Sequence, residues 1–268
     1  MKKWMYNVLL GIFAAVFLVS AGCLGYYFIN SHAQGDRYTE LAGLRAPDET
    51  YRDASVEETV DPTALVEVTH PETGEKVWMM QSFAQLYVLN SDIVGWMTVP
   101  GTSIDYPVMQ NQTKKDYYLN HNFDKQYSSW GCLYTWPVCD VDAPSDNITI
   151  YGHHMRDGSM FTPLDSYMEK SFWETNPYIN FDTLTEQHTY EILAVFKTTA
   201  SVGEGFAYHE YVDMDEGQFD QFVATCKSLA LYDTGVEAQY GDKLITLSTC
   251  EYSQTNGRLV VVAKRMDN

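Results

Sequence analysis

Apolar residues are distributed in three different ways along the chain. The segment Val8–Ile29 is almost wholly apolar, and no Asp, Glu, Lys or Arg occurs between Trp4 and Gly35. Polar and acidic residues dominate the next segment, from Ser31 to about Pro71. Beyond it, short apolar runs alternate with polar positions and turn residues, which is typical of β-strands. The pattern predicts a membrane segment, a linker and a β-rich domain.

The first apolar segment has the dimensions of a transmembrane helix. As a helix, Val8–Ile29 would span about 33 Å, close to the hydrocarbon thickness of a bilayer. Lys2 and Lys3 precede it and an acidic body follows, so the positive-inside rule predicts a cytoplasmic N-terminus and an extracellular body. A cleaved signal peptide is one alternative, although its apolar region is usually shorter. A lipoprotein signal ending before Cys23 is another, although Ser20 stands where such signals usually carry Leu.

The polar pattern divides the rest of the chain in two. Residues 31–76 are expected to form an acidic extracellular stalk with short helical pieces, because large apolar groups are few and Glu and Asp are frequent. The compact domain is expected to begin near Val77 and to include residues 77–268. Residues 1–30 then comprise the cytoplasmic N-terminus and the membrane anchor.

The compact domain is predicted to be mainly β. Ser82–Leu89 has the spacing of a short amphipathic helix, with Ser82 as its N-cap and Asn90 at its end. Asp213–Tyr232 contains apolar residues at helical spacing and predicts a long inserted helix. Many strands with few helices indicate a β-barrel or sandwich with helical insertions. Strands are predicted at 96–99, 104–108, 131–138, 147–151, 190–199, 243–249 and 259–264.

Composition and charge exclude several classes of protein. The chain has 36 acidic and 17 basic residues and a formal net charge of −19, which argues against nucleic-acid binding because it repels phosphate backbones. Hydrophobic residues make up 45% of the sequence, enough for a packed core, so wholesale disorder is excluded. The five cysteines are too few and too scattered for a disulfide scaffold, and no C-x-x-C zinc pair occurs.

Most of the cysteines have positions that do not favour catalysis. Cys226 falls on the apolar stripe of its predicted helix and is expected to be a core thiol, and Cys23 lies in the membrane segment. Cys132 and Cys139 would be about 23 Å apart in one extended strand, beyond the ~7 Å limit for a disulfide. A break at Trp136-Pro137 would alter that distance.

Cys250 is placed for access rather than for packing. It ends the predicted strand 244–249 and precedes a polar turn, and alternation puts it on the same face as Thr246 and Ser248. The alternative is another inert buried cysteine. A thiol at the end of a strand beside a polar loop is a candidate nucleophile.

A thiol nucleophile needs a base or a cation nearby. His153 and His154 lie at the end of another predicted strand. Arg258 opens the last strand after Asn256-Gly257, a favourable hairpin-turn pair, and would face Cys250 across that hairpin. A surface histidine and a salt-bridged arginine are the alternatives. Together the three residue types suit acyl transfer through a thioester.

The combined motifs resemble those of class B sortases over roughly residues 80–265. Thr246-Leu247-Ser248-Thr249-Cys250 matches the family's T-L-x-T-C motif, with Tyr151-Gly152-His153 upstream and Arg258 eight residues downstream. The membrane anchor and stalk also fit this family. Further matching segments are Gly95-Trp96, Pro100-Gly101-Thr102, Ile104-Asp105-Tyr106-Pro107-Val108, Tyr117-Tyr118-Leu119, Gly152-His153-His154-Met155 and Glu251-Tyr252.

The resemblance implies a fold and a reaction. The fold would be mainly β, an eight-stranded sortase β-barrel with an N-terminal helical extension and a long helix inserted before the Cys-bearing strand. Cys250 would attack the carbonyl of a Thr in a C-terminal sorting signal, with His153, rather than His154, as the acid. Arg258 would bind the substrate carbonyl or the developing oxyanion, and the backbone N–H of Glu251 could share that work. Residues matching the class B substrate groove are Tyr151, Ser248, Glu251 and Leu119, for which ordinary strand packing is the alternative.

The resemblance also implies partners. The substrates would be surface proteins bearing an Asn-Pro-x-Thr-Asn-like or Ser-Pro-x-Thr-Gly-like sorting signal, and the acceptor would be an amine of the peptidoglycan precursor lipid II. The N-terminal helix would attach the enzyme to the cell membrane; no cofactor, metal or nucleic acid is expected. Cys132 and Cys139 depart from the family pattern. Three alternatives stay open: a cysteine peptidase that only hydrolyses, a sortase that polymerises pilins, and a non-catalytic acidic binding module.

Overall fold

A long helix forms the N-terminal unit of the chain. The computed structural model describes residues 3–45, 61–201 and 203–266, and the chain divides into two units, residues 1–41 and 42–268. Helix α1 spans Lys3–Arg45, so the predicted helix at Val8–Ile29 is confirmed and extends further, with no proline before Pro47 to interrupt it. Among the described residues, α1 is the one helix long and apolar enough to cross a membrane.

A hairpin and a short helix open the structure after residue 60. Strands β1, Leu65–Thr69, and β2, Lys76–Met80, pair in antiparallel fashion. β1 lies within the segment predicted to be stalk, and β2 begins at the last residue of that segment. Helix α2 follows at Gln81–Leu89 and ends at Asn90, as predicted. The prediction of Ser82 as N-cap is wrong: Met80 holds that position without a side-chain bond, and Ser82 lies inside the helix.

Eight strands form a closed barrel in the order β10-β8-β7-β3-β4-β5-β6-β9. This confirms the eight-stranded barrel predicted from the resemblance. Two neighbouring pairs are parallel, β4 with β5 and β6 with β9, and the others are antiparallel. The strands are β3 Ile93–Thr98, β4 Asp105–Met109, β5 Leu133–Thr135, β6 Asn147–Tyr151, β7 Tyr178–Thr183, β8 Thr189–Thr199, β9 Leu244–Cys250 and β10 Gly257–Arg265.

Two strands differ from the sequence prediction. β5 has three residues instead of the expected eight at 131–138, because Pro137 lacks a backbone N–H for the ladder. The sequence analysis missed β7, where buried Ile179 and Phe181 alternate with Asn180 and Asp182. It also missed the short helix α3, Lys170–Thr175. Single turns of 3₁₀ helix at Tyr117–Leu119 and Tyr208–Glu210 and a longer one at Thr162–Met168 connect the elements.

The predicted long helix is present between β8 and β9. Helix α4 spans Glu216–Leu229 and begins with a capping box in which the Asp215 side chain and Gln218 exchange hydrogen bonds. Its apolar face packs in one buried cluster with side chains of β8 and β10. Cys226 is 0% exposed within that cluster, which confirms the prediction of a core thiol. The buried residues of α4 are Phe219, Phe222, Val223 and Cys226.

Candidate active site

The ends of three neighbouring strands meet at one edge of the barrel. β6 and β9 run parallel with Tyr151 opposite Ser248, and the Gly152 N–H extends the ladder by donating to the Ser248 carbonyl at 3.1 Å. β10 runs antiparallel to β9, with Arg258 opposite Cys250. Since adjacent strands lie about 4.8 Å apart, this topology brings the segment that begins at His153 to the same edge as Cys250 and Arg258.

The Cys250 thiol differs from the other thiols of the compact unit. Cys250 is half-buried at the end of β9, whereas Cys132, Cys139 and Cys226 are buried, and all are free thiols. Burial raises the pKa of both Cys139 and Cys226, which keeps these thiols protonated. A nucleophile needs an accessible thiolate, so Cys250 is the thiol of this unit that suits acyl chemistry.

The loop between β9 and β10 closes tightly behind Cys250. The Glu251 N–H, which was expected to share in stabilising an oxyanion, donates to the Gly257 carbonyl at 2.9 Å in this structure. The hairpin's first bond already uses that donor. A side chain at Gly257 would place its Cβ 2.4 Å from the Glu251 carbonyl oxygen, so the close approach requires glycine. Within this turn, Asn256 adopts the left-handed backbone conformation, with φ of 52°.

Arg258 lies beside Cys250 with donors to spare. It is half-buried, and its Nη1 donates to the Gly257 carbonyl at 2.9 Å and to the Asn256 carbonyl at 3.3 Å. A guanidinium has five N–H donors, so these two bonds fix its orientation and leave others for a ligand. Burial raises the pKa of Tyr208, although its hydrogen bond with Ser248 and the nearby charge of Arg258 act to lower it.

The two histidines have different partners. His153 Nε2 lies 2.7 Å from the Leu119 carbonyl oxygen. A carbonyl can only accept, so Nε2 carries the hydrogen and the neutral ring has its free electron pair on Nδ1. His154 Nε2 instead lies 2.7 Å from Asp165 Oδ2, and its ring meets Tyr252 edge-on. The backbone of Leu119 therefore orients His153, while His154 is held by other groups.

The four residues expected to line the substrate groove have unequal surroundings. Leu119 is half-buried beside His153, and Tyr151 is half-buried with a hydroxyl that has no hydrogen-bond partner among the described residues. Ser248 is 2% exposed, and its hydroxyl shares a 2.6 Å hydrogen bond with Tyr208. The Glu251 carboxylate binds Lys197 at 3.1 Å and Ser253 at 2.7 Å.

Of the four side chains, those of Ser248 and Glu251 therefore already form hydrogen bonds within the protein. Burial acts to raise the pKa of Glu251, but hydrogen bonds from Ser253 and Lys197 lower it below its ordinary value. Glu251 is thus a stable carboxylate facing β8. Leu119 and Tyr151 are the two that leave surface for a substrate beside His153.

An aromatic wall beside Tyr151 was not predicted from the sequence. Tyr134 and Trp136 stack on the Tyr151 ring at centroid distances of 5.4 and 4.9 Å. The Asp116 carboxylate accepts hydrogen bonds from the Tyr134 hydroxyl at 3.2 Å and from the Trp136 indole N–H at 3.0 Å. The spacing of residues along the sequence does not predict these bonds, because they join Asp116 to residues 18 and 20 positions further along the chain.

The arrangement suits covalent acyl transfer. An accessible thiol can act as the nucleophile, an imidazole with a fixed tautomer as the acid–base group, and a guanidinium with free donors as the oxyanion stabiliser in thioester chemistry. Across residues 3–45, 61–201 and 203–266, no group of three His, Cys, Asp or Glu side chains is arranged to hold a metal ion.

Comparisons with known proteins agree with this geometry. A family model described as Sortase domain matches residues 97–266. The chain is 34% identical over 187 residues to sortase B of Staphylococcus aureus, which covers 68% of this chain and 73% of that relative. It is 34% identical over 181 residues to sortase B of Listeria monocytogenes, covering 67% and 72%. A Staphylococcus aureus sortase B–substrate complex is similar in structure, with a TM-score of 0.70, 27% identity, and coverage of 89% of this chain and 99% of that one.

Proposed function

The chain belongs to the sortase family of cysteine transpeptidases, on its sortase B branch, and from this premise we propose that Cys250, His153 and Arg258 are its catalytic residues. The observation that carries the assignment is the pairing of Arg258 on β10 with Cys250 on β9, together with the pairing of β9 with β6, the strand that leads into His153. Each of the three lies within the matched segment 97–266.

In the first half-reaction, the Cys250 thiolate attacks the carbonyl carbon of a Thr in the sorting signal. The new C–S bond forms, the amide bond after Thr breaks, and the imidazolium of His153 gives its proton to the departing amine. The product is a thioester between Cys250 and the carboxyl group of Thr. Because Leu119 holds Nε2, Nδ1 is the nitrogen that exchanges the proton with the reacting groups.

Charge develops on the Thr carbonyl oxygen during this attack. The Glu251 N–H is already bonded to Gly257, so the stabilisation falls to the guanidinium N–H groups of Arg258 that the loop carbonyls do not use. Loss of one such donor typically costs about 10²–10³-fold in kcat. Arg258→Lys keeps the charge but removes the planar set of donors, and a decrease of that size in acylation rate is expected.

In the second half-reaction, an amine attacks the thioester. His153, now neutral, takes a proton from the amine, the C–N bond forms and the Cys250 thiolate leaves. The proposed substrates carry an Asn-Pro-x-Thr-Asn-like or Ser-Pro-x-Thr-Gly-like signal, and the proposed acceptor is a lipid II amine of the cell wall. A hydrolysing peptidase and a pilin-polymerising sortase use the same first step and differ in the acceptor.

Helix α1 supports a membrane location. Its apolar residues are long enough in sequence to span a bilayer, and Lys2 and Lys3 stand before them. The proposed topology is a single pass with a cytoplasmic N-terminus, residues 31–76 as stalk, and residues 77–268 as an extracellular catalytic domain.

The test is the fate of the acyl group. The detergent-solubilised full chain is incubated with sorting-signal peptides of both types, with and without an amine acceptor, and products are measured by mass spectrometry. A thioester adduct and an amine-ligated product are expected. Free acid alone, in the presence of abundant amine, would favour the hydrolysing peptidase, and no adduct with any peptide would contradict the proposal.

A further inference from the structure

A lysine is fixed on the aromatic wall beside the candidate site. The Lys115 ammonium lies 3.3 Å from the centroid of the Trp136 ring, close enough for a cation–π interaction. Trp136 is itself held in place: it stacks on Tyr151, meets His209 edge-on at 5.4 Å, and donates its indole N–H to Asp116. The positive charge of Lys115 therefore has a defined position.

That position adjoins the surface expected to bind substrate. The Lys115 ammonium and the Tyr151 ring both contact the indole of Trp136. Tyr151 is the last residue of β6, and Gly152 and His153 follow it directly. Tyr151 lies opposite Ser248, two residues before Cys250. A peptide with its Thr at Cys250 therefore has its neighbouring residues close to the Tyr151 and Trp136 rings, where Lys115 lies.

The Lys115 ammonium is not held in an ion pair within the described residues. Its side chain is exposed, and within the described part of the chain no carboxylate forms an ion pair with it, whereas lysines such as Lys197 and Lys243 are paired. The neighbouring Asp116 carboxylate accepts hydrogen bonds from the Tyr134 hydroxyl and the Trp136 indole and forms no ion pair with Lys115. Burial lowers the pKa of the adjacent His209, so that ring is neutral at pH 7 and Lys115 supplies the positive charge here.

We propose that Lys115 is a specificity-determining residue that favours sorting signals with an acidic side chain within about three residues of the scissile Thr. The inference rests on the proposed transpeptidase function. In a protein with a net charge of −19, most of the surface repels an acidic peptide. A cation held beside the groove without an ion-pair partner opposes that repulsion locally and favours a Glu or Asp at the position that reaches it.

The experiment measures acylation of the full chain by a peptide panel. At each of the three positions on either side of the Thr, Glu, Gln and Lys are compared in turn, and kcat/KM is determined for the wild type, Lys115→Gln and Lys115→Glu. Lys170→Glu is the matched control, because Lys170 also lies over a tryptophan, Trp173, at 5.9 Å, on the separate helix α3. Thermal unfolding verifies that each variant is folded.

The wild type should prefer Glu over Lys at one position by roughly 3- to 10-fold, the size expected for an exposed charge pair. Lys115→Gln should abolish the preference, Lys115→Glu should invert it, and Lys170→Glu should leave it unchanged. The preference should also fall at high salt.

Acylation without a charge preference at any position, or a preference that persists in Lys115→Glu, would overturn this inference alone. The absence of an acyl-enzyme with every peptide would overturn it together with the proposed function, so the two failures are distinguishable.

Discussion

The end of β9 and the middle of α4 each carry a cysteine, and their surroundings give the two thiols opposite properties. Cys250 is half-buried at the barrel edge, opposite Arg258. Cys226 is 0% exposed among aromatic and aliphatic side chains, and burial raises its pKa. The same functional group is thus accessible in one region and both shielded and protonated in the other.

The difference follows from where each element ends. A strand that stops at a polar loop leaves its last side chain at the edge of the sheet, where partners from neighbouring strands converge. A residue in the middle of an amphipathic helix faces the core once in each turn and meets only apolar neighbours. The Cys250 thiol is therefore accessible because β9 ends at a polar loop, whereas the buried face of α4, with Cys226, contributes to the stability of the fold.

Replacing each cysteine with alanine is expected to give the largest difference between the two regions. Cys250→Ala should lower the acylation rate by at least about 10⁴-fold while leaving the fold intact, because no other accessible thiol of the compact unit is at the barrel edge. Cys226→Ala should keep kcat/KM within about 2-fold and destabilise the fold by about 1–2 kcal/mol. Single-turnover acylation and denaturant unfolding measure the two effects. Undiminished turnover in Cys250→Ala would contradict the assignment of Cys250 as the nucleophile.

The adjacent histidines provide the next largest contrast. His153→Gln should decrease kcat by about 10²–10⁴-fold, the usual contribution of a general acid–base. His154→Gln should decrease it by less than about 10-fold, because its ring is bound to Asp165 and Tyr252 instead of the Leu119 carbonyl. Steady-state kinetics of both variants against one peptide checks this. Equal losses of kcat in the two variants, or a larger loss in His154→Gln, would contradict the assignment of His153 as the acid–base residue.

Removing a ring from the α4 cluster tests the stability side of the comparison. Phe222 is 0% exposed and packs against Phe206 and Tyr211. Phe222→Ala should lower the free energy of unfolding by about 3–5 kcal/mol, with kcat of the folded fraction changed only a few-fold. Asp220→Ala, exposed on the same helix, is the control and should stay within about 0.5 kcal/mol. A large fall in kcat without a loss of stability would connect α4 to the reaction.

The smallest expected effect is the response of Cys226 to pH. Because burial raises its pKa, its thiolate fraction is reduced at every pH, and iodoacetamide should leave it unmodified in the native protein from about pH 6 to pH 9. Cys250 should be modified in the same samples. Peptide mapping distinguishes the two, and denaturant should expose Cys226. Native-state modification of Cys226 at a rate similar to Cys250 would contradict the contrast.

The sequence was most informative for features that depend on residues close together in the chain. The apolar spacing of α4 predicted a buried Cys226, and the Asn256-Gly257 turn predicted that Arg258 would lie opposite Cys250. Both are local patterns, since helix periodicity and a hairpin involve residues close in sequence. The parallel contact of β6 with β9 spans nearly a hundred residues, and the family resemblance, not the spacing, indicated that His153 would join them.

Features that depend on distant contacts could not be predicted in this way. The bond of Glu251 N–H to Gly257 and the shared hydroxyl bond of Ser248 and Tyr208 depend on loop paths that no periodicity specifies. The position of Lys115 on Trp136 also requires that a loop fold over β5. Proteins depart from sequence patterns most often at loops, where side chains of separate elements meet.

The most direct test of this account is to locate the acyl group. The enzyme is mixed with an excess of sorting-signal peptide, quenched in acid before the thioester turns over, digested and mapped by mass spectrometry. The account predicts a peptide acylated through its Thr on the fragment that contains Cys250, and no acyl group on fragments with Cys132, Cys139 or Cys226. Acylation of another residue, or product formation with Cys250 unmodified throughout, would contradict it.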